Sequence, residues 1–243
     1  MGAQRVWLMC GGKYDRERKL IALLPVGSVE RHGDHLPLGT DTMEAEAVAS
    51  LVSEKLGAHL FPPIWYGSSP TFRKFAGTVD VGSEALREYV KGVIGGILRN
   101  GYEVVVVVNG HGGNSYTLRE VARELAYEHR GKVIVVVDWW RDVAQGVRNE
   151  LFEAPGHAGE DETSVMLHLA PNHVEMDLAR DHVLDLPAKV SVFSSLEDEI
   201  VYPNAVLGRA TRASAEKGKK LLEAVAEEIA EEVRKVLNIL GRR

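Results

Sequence analysis

The chain is almost without cysteine and glutamine. Cys10 is the only cysteine in 243 residues, so an intramolecular disulfide and a Cys-based zinc site are both excluded. Gln4 and Gln145 are the only glutamines beside 29 basic and 35 acidic residues, a bias found in thermophile proteins. Long apolar runs are missing, and none approaches the length that spans a bilayer. The run Val6–Cys10 is too short for a secretory signal, and the charged stretch Lys13–Lys19 follows it at once. An excess of positive charge is also missing. The formal net charge of −6 argues against nucleic acid or an anionic membrane as partner. The expectation is a cytoplasmic protein that acts on a small molecule. No linker, repeat or low-complexity tract divides the chain, so residues 1–243 read as one domain with room for a well-buried core.

What is present is an α/β pattern. Leu20–Pro25, Val104–Asn109 and Val133–Asp138 are apolar, β-branched runs of the kind that form buried parallel strands. His59–Trp65 is a shorter candidate, interrupted by Pro62 and Pro63, which places it near an edge or ends it early. Helical stripes lie between these runs. Met43, Ala47, Val48, Leu51, Val52 and Leu56 form one, stopped by Gly57. Leu86, Val90, Val93, Ile94 and Leu98 form a second. Leu118, Val121, Ala122 and Leu125 form a third, with Asn114 or Ser115 as N-cap. A short helix is expected near 163–169 and a long one over 214–240, while 171–212 reads as an irregular excursion. Alternating strands and helices predict a three-layer α/β/α sandwich around a mostly parallel sheet.

Three segments carry chemistry. Glu30, His32, His35 and Asp41 fall within twelve residues, directly after the first strand. Carboxylates and imidazoles are ligands of borderline divalent metals, and the carboxyl end of a strand is where open α/β sheets bind ligands. A polar loop with Asp41 or Thr40 capping a helix near Met43 would explain part of this run. The second segment, Asn109-Gly-His111-Gly-Gly-Asn114, follows another core strand. It matches neither a dinucleotide fingerprint nor a Walker loop, and its glycines let the backbone approach closely while His111 faces the crevice. The third is His157-Ala-Gly-Glu160-Asp-Glu162-Thr-Ser164. Acids at a helix start are favourable in their own right, but that leaves His157 unexplained, and an imidazole beside a metal site is the usual proton carrier. His59, His129, His168, His173 and His182 read as ordinary surface or core residues.

Taken together, these motifs resemble the creatininase family of metal-dependent amidohydrolases. The matching pieces are Leu24-Pro-Val-Gly-Ser-Val-Glu30-Arg-His32-Gly-Asp-His35-Leu-Pro, Thr40-Asp41, Asn109 to Asn114, and His157 to Ser164. Tyr66-Gly-Ser-Ser69 and Gly77-Thr-Val echo a family loop that shapes the substrate pocket. The resemblance implies a two-metal centre of Zn, Fe(II) or Mn. Glu30, Asp41 and His111 would hold one ion, and His32 and Asp41 the other, with Asp41 as the bridge. In creatininase a glutamate two residues after the second-motif histidine completes the second site. Gly113 stands there in this chain, so Glu162, or failing it Glu160, is expected to reach in. The implied reaction is hydrolysis of a C–N amide bond, with His157 shuttling the proton.

The resemblance leaves several substrates. An aromatic residue follows the second-motif histidine in creatininase; here Gly112 takes its place, while Trp140 matches a family tryptophan. His35, Ser69, Gly112, Asn114 and Trp140 are the expected substrate-side residues. A roomier pocket points first to the family branch that removes a formyl group from a formamidopyrimidine ribonucleotide in archaeal flavin and deazaflavin synthesis. Creatinine or another small cyclic amide is second, and the peptide cleaved in mycofactocin maturation third. A non-catalytic metal-dependent binding module is the alternative of a different class. Family members assemble as hexamers or other homo-oligomers, so a homo-oligomer is expected.

Overall fold

The computed structural model describes residues 2–184 and 194–241. Five parallel strands form the sheet: β1 (Gln4–Arg5), β2 (Ile21–Val26), β3 (His59–Leu60), β4 (Val104–Asn109) and β5 (Val133–Asp138). Their spatial order is β1-β3-β2-β4-β5. The chain therefore leaves β2 towards β3 on one side, then crosses back to place β4 on the other. The strand order reverses between β2 and β4, and a crevice opens at the carboxyl ends of strands at such a reversal.

The crossover helices take opposite faces for the same reason, since right-handed connections in opposite directions land on opposite sides. After the short α1 (Gly11–Arg16), one face carries α2 (Thr40–Leu56), α5 (Gln145–Leu151), α6 (Glu160–Leu169) and the long α8 (Ala215–Ile239). Val48, Val52, Leu221, Val225 and Ile229 pack there on Leu23, Val104, Val106 and Val108. The other face carries α3 (Ser83–Arg99) and α4 (Ser115–Glu128), whose Leu86, Val90, Ile94, Leu118 and Val121 pack on Ala22, Leu24, Val105 and Val107. Odd and even positions of one valine strand thus serve both cores, as the twofold period of a strand requires. The expected three-layer α/β/α sandwich is the fold.

Several details differ from the sequence reading. The stretch expected over His59–Trp65 pairs as a strand only at His59–Leu60, and it lies inside the sheet because β1 covers it. Ile64 adds a single bridge to Val26 beyond the prolines. α2 begins at Thr40 with Gly39 as N-cap, so Asp41 sits inside the first turn, where the helix dipole favours a negative charge. Asn114 is the N-cap of α4 by position, but its side chain makes no capping bond. Within 171–212 the chain forms short 3₁₀ turns, the antiparallel pair β6 (Asp181–His182) and β7 (Gly208–Arg209), and the short α7 (Glu197–Ile200). Residues 185–193 of that excursion lie outside the described residues. No described helix is long and apolar enough to cross a membrane.

Candidate metal centre

The β2–α2 loop, the β4–α4 loop and the start of α6 converge over the strand-order reversal. Three overlapping groups of ligand atoms result: Glu30, Asp41 and His111; His32, Asp41 and Glu162; Glu30, His32 and His157. Within each, the atoms lie within 4.8 Å of one another. Asp41 stands between the first two groups. Its Oδ1 is 2.9 Å from His32 Nε2 and its Oδ2 is 2.9 Å from His111 Nδ1. Glu30 Oε1 lies 3.2 Å from His111 Nδ1. Glu162 Oε2 approaches His32 Nε2 at 3.6 Å and accepts the Ala158 N–H at 2.6 Å. Glu30, His32, Asp41 and His111 are all buried.

The three histidines share one arrangement. His32 Nδ1 faces the Glu30 carbonyl at 3.1 Å, His111 Nε2 the Ser68 carbonyl at 2.8 Å, and His157 Nε2 the Arg31 carbonyl at 2.9 Å. A carbonyl only accepts, so each of these nitrogens donates to it and the opposite nitrogen is turned towards the acids. This is the orientation in which proteins hold metal-binding imidazoles. The carboxylate oxygens of Glu30 are buried and accept no hydrogen bond, an expensive state unless a cation completes it. The N/O donors and the orphaned carboxylate fit divalent ions.

The field of the cluster is strongly negative. Burial opposes charge on His32, yet Asp41, Glu162 and Glu30 push its pKa up to about 10. His111 is likewise raised against burial, by Glu30 and Asp41. Burial would raise Asp41, but His32 and His111 hold it well below the usual carboxylate range. Burial, with Asp41 beside it, pushes Glu162 up to about 8 against the pull of His32. His157 goes the other way: burial and the neighbouring His32 lower it well below an ordinary histidine. One turn along α2, Glu44 is fully buried with neither carboxylate oxygen hydrogen-bonded. Burial, then Glu162 and Asp41, raise its pKa well above the usual range.

The glycines of the second motif are fixed by contact. A Cβ on Gly113 would stand 1.9 Å from the Ser68 carbonyl oxygen and 2.5 Å from His111 Nε2, so no glutamate fits at this position. Glu162 comes to His32 instead. Glu160, the fallback, faces away: Oε1 pairs with Lys217, and Oε2 accepts the Glu153 and Ala154 N–H groups.

The expected substrate-side residues divide. Trp140 lies beside Gly112, 3.8 Å from where a side chain there would begin. Ser69 Oγ is 3.3 Å from His111 Nε2 and so backs that imidazole. Asn114 sits deeper. Its amide is buried, donating to the Gly27 carbonyl and accepting the Ser68 N–H, which joins three loops. His35 is buried too, against Thr163 Oγ1 at 2.9 Å, where burial and then His32 lower its pKa to about 4. Sequence reasoning passed over Ser28, whose hydroxyl donates to Asp41 Oδ2 at 2.6 Å. It also passed over Asp138, which accepts from Asn109 Nδ2 at 2.7 Å while Asn109 holds the His111 backbone. Both occupy strand ends or the turn after one, a usable signal.

A parallel sheet with this set of acids and imidazoles over its strand-order reversal defines a metal-dependent amidohydrolase. The family model described as "Creatininase: Creatinine amidohydrolase" matches residues 12–233, and the chain belongs to that family. It is 35% identical over 220 residues to the mycofactocin precursor peptide peptidase of Mycobacterium ulcerans (strain Agy99), covering 85% of this chain and 81% of that protein. It is 31% identical to the creatinine amidohydrolase of Pseudomonas putida, covering 88% of each. A solved manganese form of creatininase superposes with a TM-score of 0.83 at 29% identity, covering 96% of this chain and 98% of that one.

Proposed function

We propose that Glu30, Asp41 and His111 hold one divalent ion and His32, Asp41 and Glu162 a second, and that the chain hydrolyses a formamide, the formyl group of a formamidopyrimidine ribonucleotide. The observation that carries the two-metal reading is the shared orientation of the three histidines, each anchored to a backbone carbonyl with its other nitrogen turned towards buried acids. Ions held there supply Lewis acidity, which activates water at neutral pH and polarises a carbonyl. The protein does the rest. Asp41 and Glu30 fix the acid frame, Ser28 locks Asp41, and His157 Nδ1 takes up and delivers a proton on the Glu30 side, 3.8 Å from Oε1. Zn, Fe(II) and Mn all suit this donor set. The bare Gly112 beside Trp140 supports a substrate of nucleotide size. The same reading carries a homo-oligomer, for which exposed Trp7 and Leu8 offer an apolar surface.

A second substrate reading is a peptide amide, favoured by the 35% identity to a precursor peptide peptidase. The two are separated by incubating purified, metal-loaded protein with a formamidopyrimidine ribonucleotide or a mycofactocin precursor peptide, each with and without chelator. Formate release abolished by chelator is expected. Peptide cleavage without formate release transfers the reading to the second substrate. Full metal occupancy with no turnover of any amide, creatinine included, favours a binding module.

The second site has its own test. Glu162→Gln keeps the shape but replaces an anionic ligand by a neutral one. Metal analysis is expected to find the ion shared with His32 depleted about tenfold or more in affinity, with the other retained. Two fully bound ions in this variant would remove Glu162 from the ligand set.

A further inference from the structure

Phe72 lies face to face on the His157 ring, with centroids 4.0 Å apart and planes 13° from parallel. Tyr202 closes the corner, edge-on to Phe72 at 5.1 Å and to His157 at 5.8 Å. His32 flanks the same imidazole at 4.2 Å. Neither Phe72 nor Tyr202 belongs to the proposed ligand set, and neither is part of the hydrophobic clusters of the core.

We propose that Phe72 and Tyr202 form an aromatic clamp that fixes the plane of the His157 imidazole, making both positioning residues for proton transfer. This rests on the reading of His157 as the proton carrier. A histidine ring turns about a broad, roughly two-fold torsion. The hydrogen bond from Nε2 to the Arg31 carbonyl pins one atom and leaves the ring free to swing about that contact. A flat ring stacked on its face removes the swing, so Nδ1 stays on the Glu30 side. The clamp is itself tethered. Thr71 and Lys74, beside Phe72, reach Glu197 and Asp198 of α7. The Ala205 N–H donates to the Tyr202 carbonyl, and the Gly33 N–H to the Ala205 carbonyl. The segment carrying Tyr202 is thus tied both to the Phe72 turn and to the loop of Glu30 and Asp41. The Tyr202 hydroxyl has no hydrogen-bond partner among the described residues, so its ring does the bracing.

Two readouts test this. In the metal-free protein, modification of His157 by diethyl pyrocarbonate is followed by peptide mass spectrometry. In the metal-loaded enzyme, kcat, KM and metal content are measured. Phe72→Leu keeps bulk but loses the flat face. It is expected to speed His157 modification and to lower kcat about 100-fold, with KM and metal content unchanged. Phe72→Tyr restores both properties, and Tyr202→Phe matches the starting protein. Should Phe72→Leu fail to fold by circular dichroism, Tyr202→Leu carries the same comparison. Unchanged His157 modification in the leucine variant overturns the clamp. So does a raised KM with kcat preserved, which would make Phe72 a substrate wall. A loss of kcat in Tyr202→Phe would assign the work to the phenol and overturn the bracing role. Absence of turnover on every amide would count against the hydrolase reading, while the modification rates still decide the clamp.

Discussion

Asp41→Ala is expected to empty both halves of the centre at once and to lower amide hydrolysis by about three orders of magnitude or more. The argument is geometric. The two oxygens of Asp41 face different histidines, His32 and His111, each at 2.9 Å. No other carboxylate belongs to both of those ligand groups. Glu30 serves one side and Glu162 the other, so each can fail singly. Asp41 cannot. Its position is over-determined, since the first turn of α2 carries it and the Ser28 hydroxyl holds Oδ2 at 2.6 Å. Asp41→Asn keeps the shape and tests the charge alone. Metal per protomer is the direct measurement. Thermal unfolding with added Zn or Mn is the second, because an ion that binds only the folded chain raises its stability. The unsubstituted protein should respond to the metal and both variants should not. Retention of two ions per protomer in Asp41→Ala would refute the bridging role.

Much of this candidate centre was legible because its proposed ligands are local. Glu30 and His32 share one loop, Asp41 opens the helix that follows it, and the loop leaves a strand whose leucine and isoleucine content announces burial. His111 follows a second such strand between glycines. Where the reading was uncertain, the cause was local geometry. Glu160 and Glu162 are two residues apart on a helix, so they face different directions; which one meets His32 depends on how α6 docks, and Lys217 takes Glu160. The start of α2 was displaced by three residues, within the usual uncertainty of helix ends, yet this turned Asp41 from a possible cap into a first-turn acid. Phe72 and Tyr202 were invisible for another reason. Aromatic residues in irregular loops obey no period, and their contact with His157 is made by segments far apart in the chain. Glu44 was equally hidden. A glutamate on an amphipathic helix reads as solvent-facing, but Glu44 is buried with Glu162, Asp41 and Asp161 as charged neighbours.

His157→Ala is expected to keep both ions and still lose about 10²- to 10⁴-fold in kcat, the usual contribution of a positioned acid–base group. The ring supports that role in three ways. Its Nε2 proton is committed to the Arg31 carbonyl, so Nδ1 is the free atom. Burial and the nearby His32 hold its pKa well below an ordinary histidine, so the ring is neutral with Nδ1 unprotonated. Its inward nitrogen lies 3.8 Å from Glu30 Oε1, farther than His32 or His111 lies from Asp41. A proton carrier that serves the leaving nitrogen should matter least when that nitrogen leaves easily. The loss should therefore shrink for activated anilides and be full for unactivated amides, and a leaving-group series measures this. Loss of an ion together with activity would instead make His157 a ligand alongside Glu30 and His32, the third group that the structure brings within reach. Undiminished turnover would take it out of the reaction altogether.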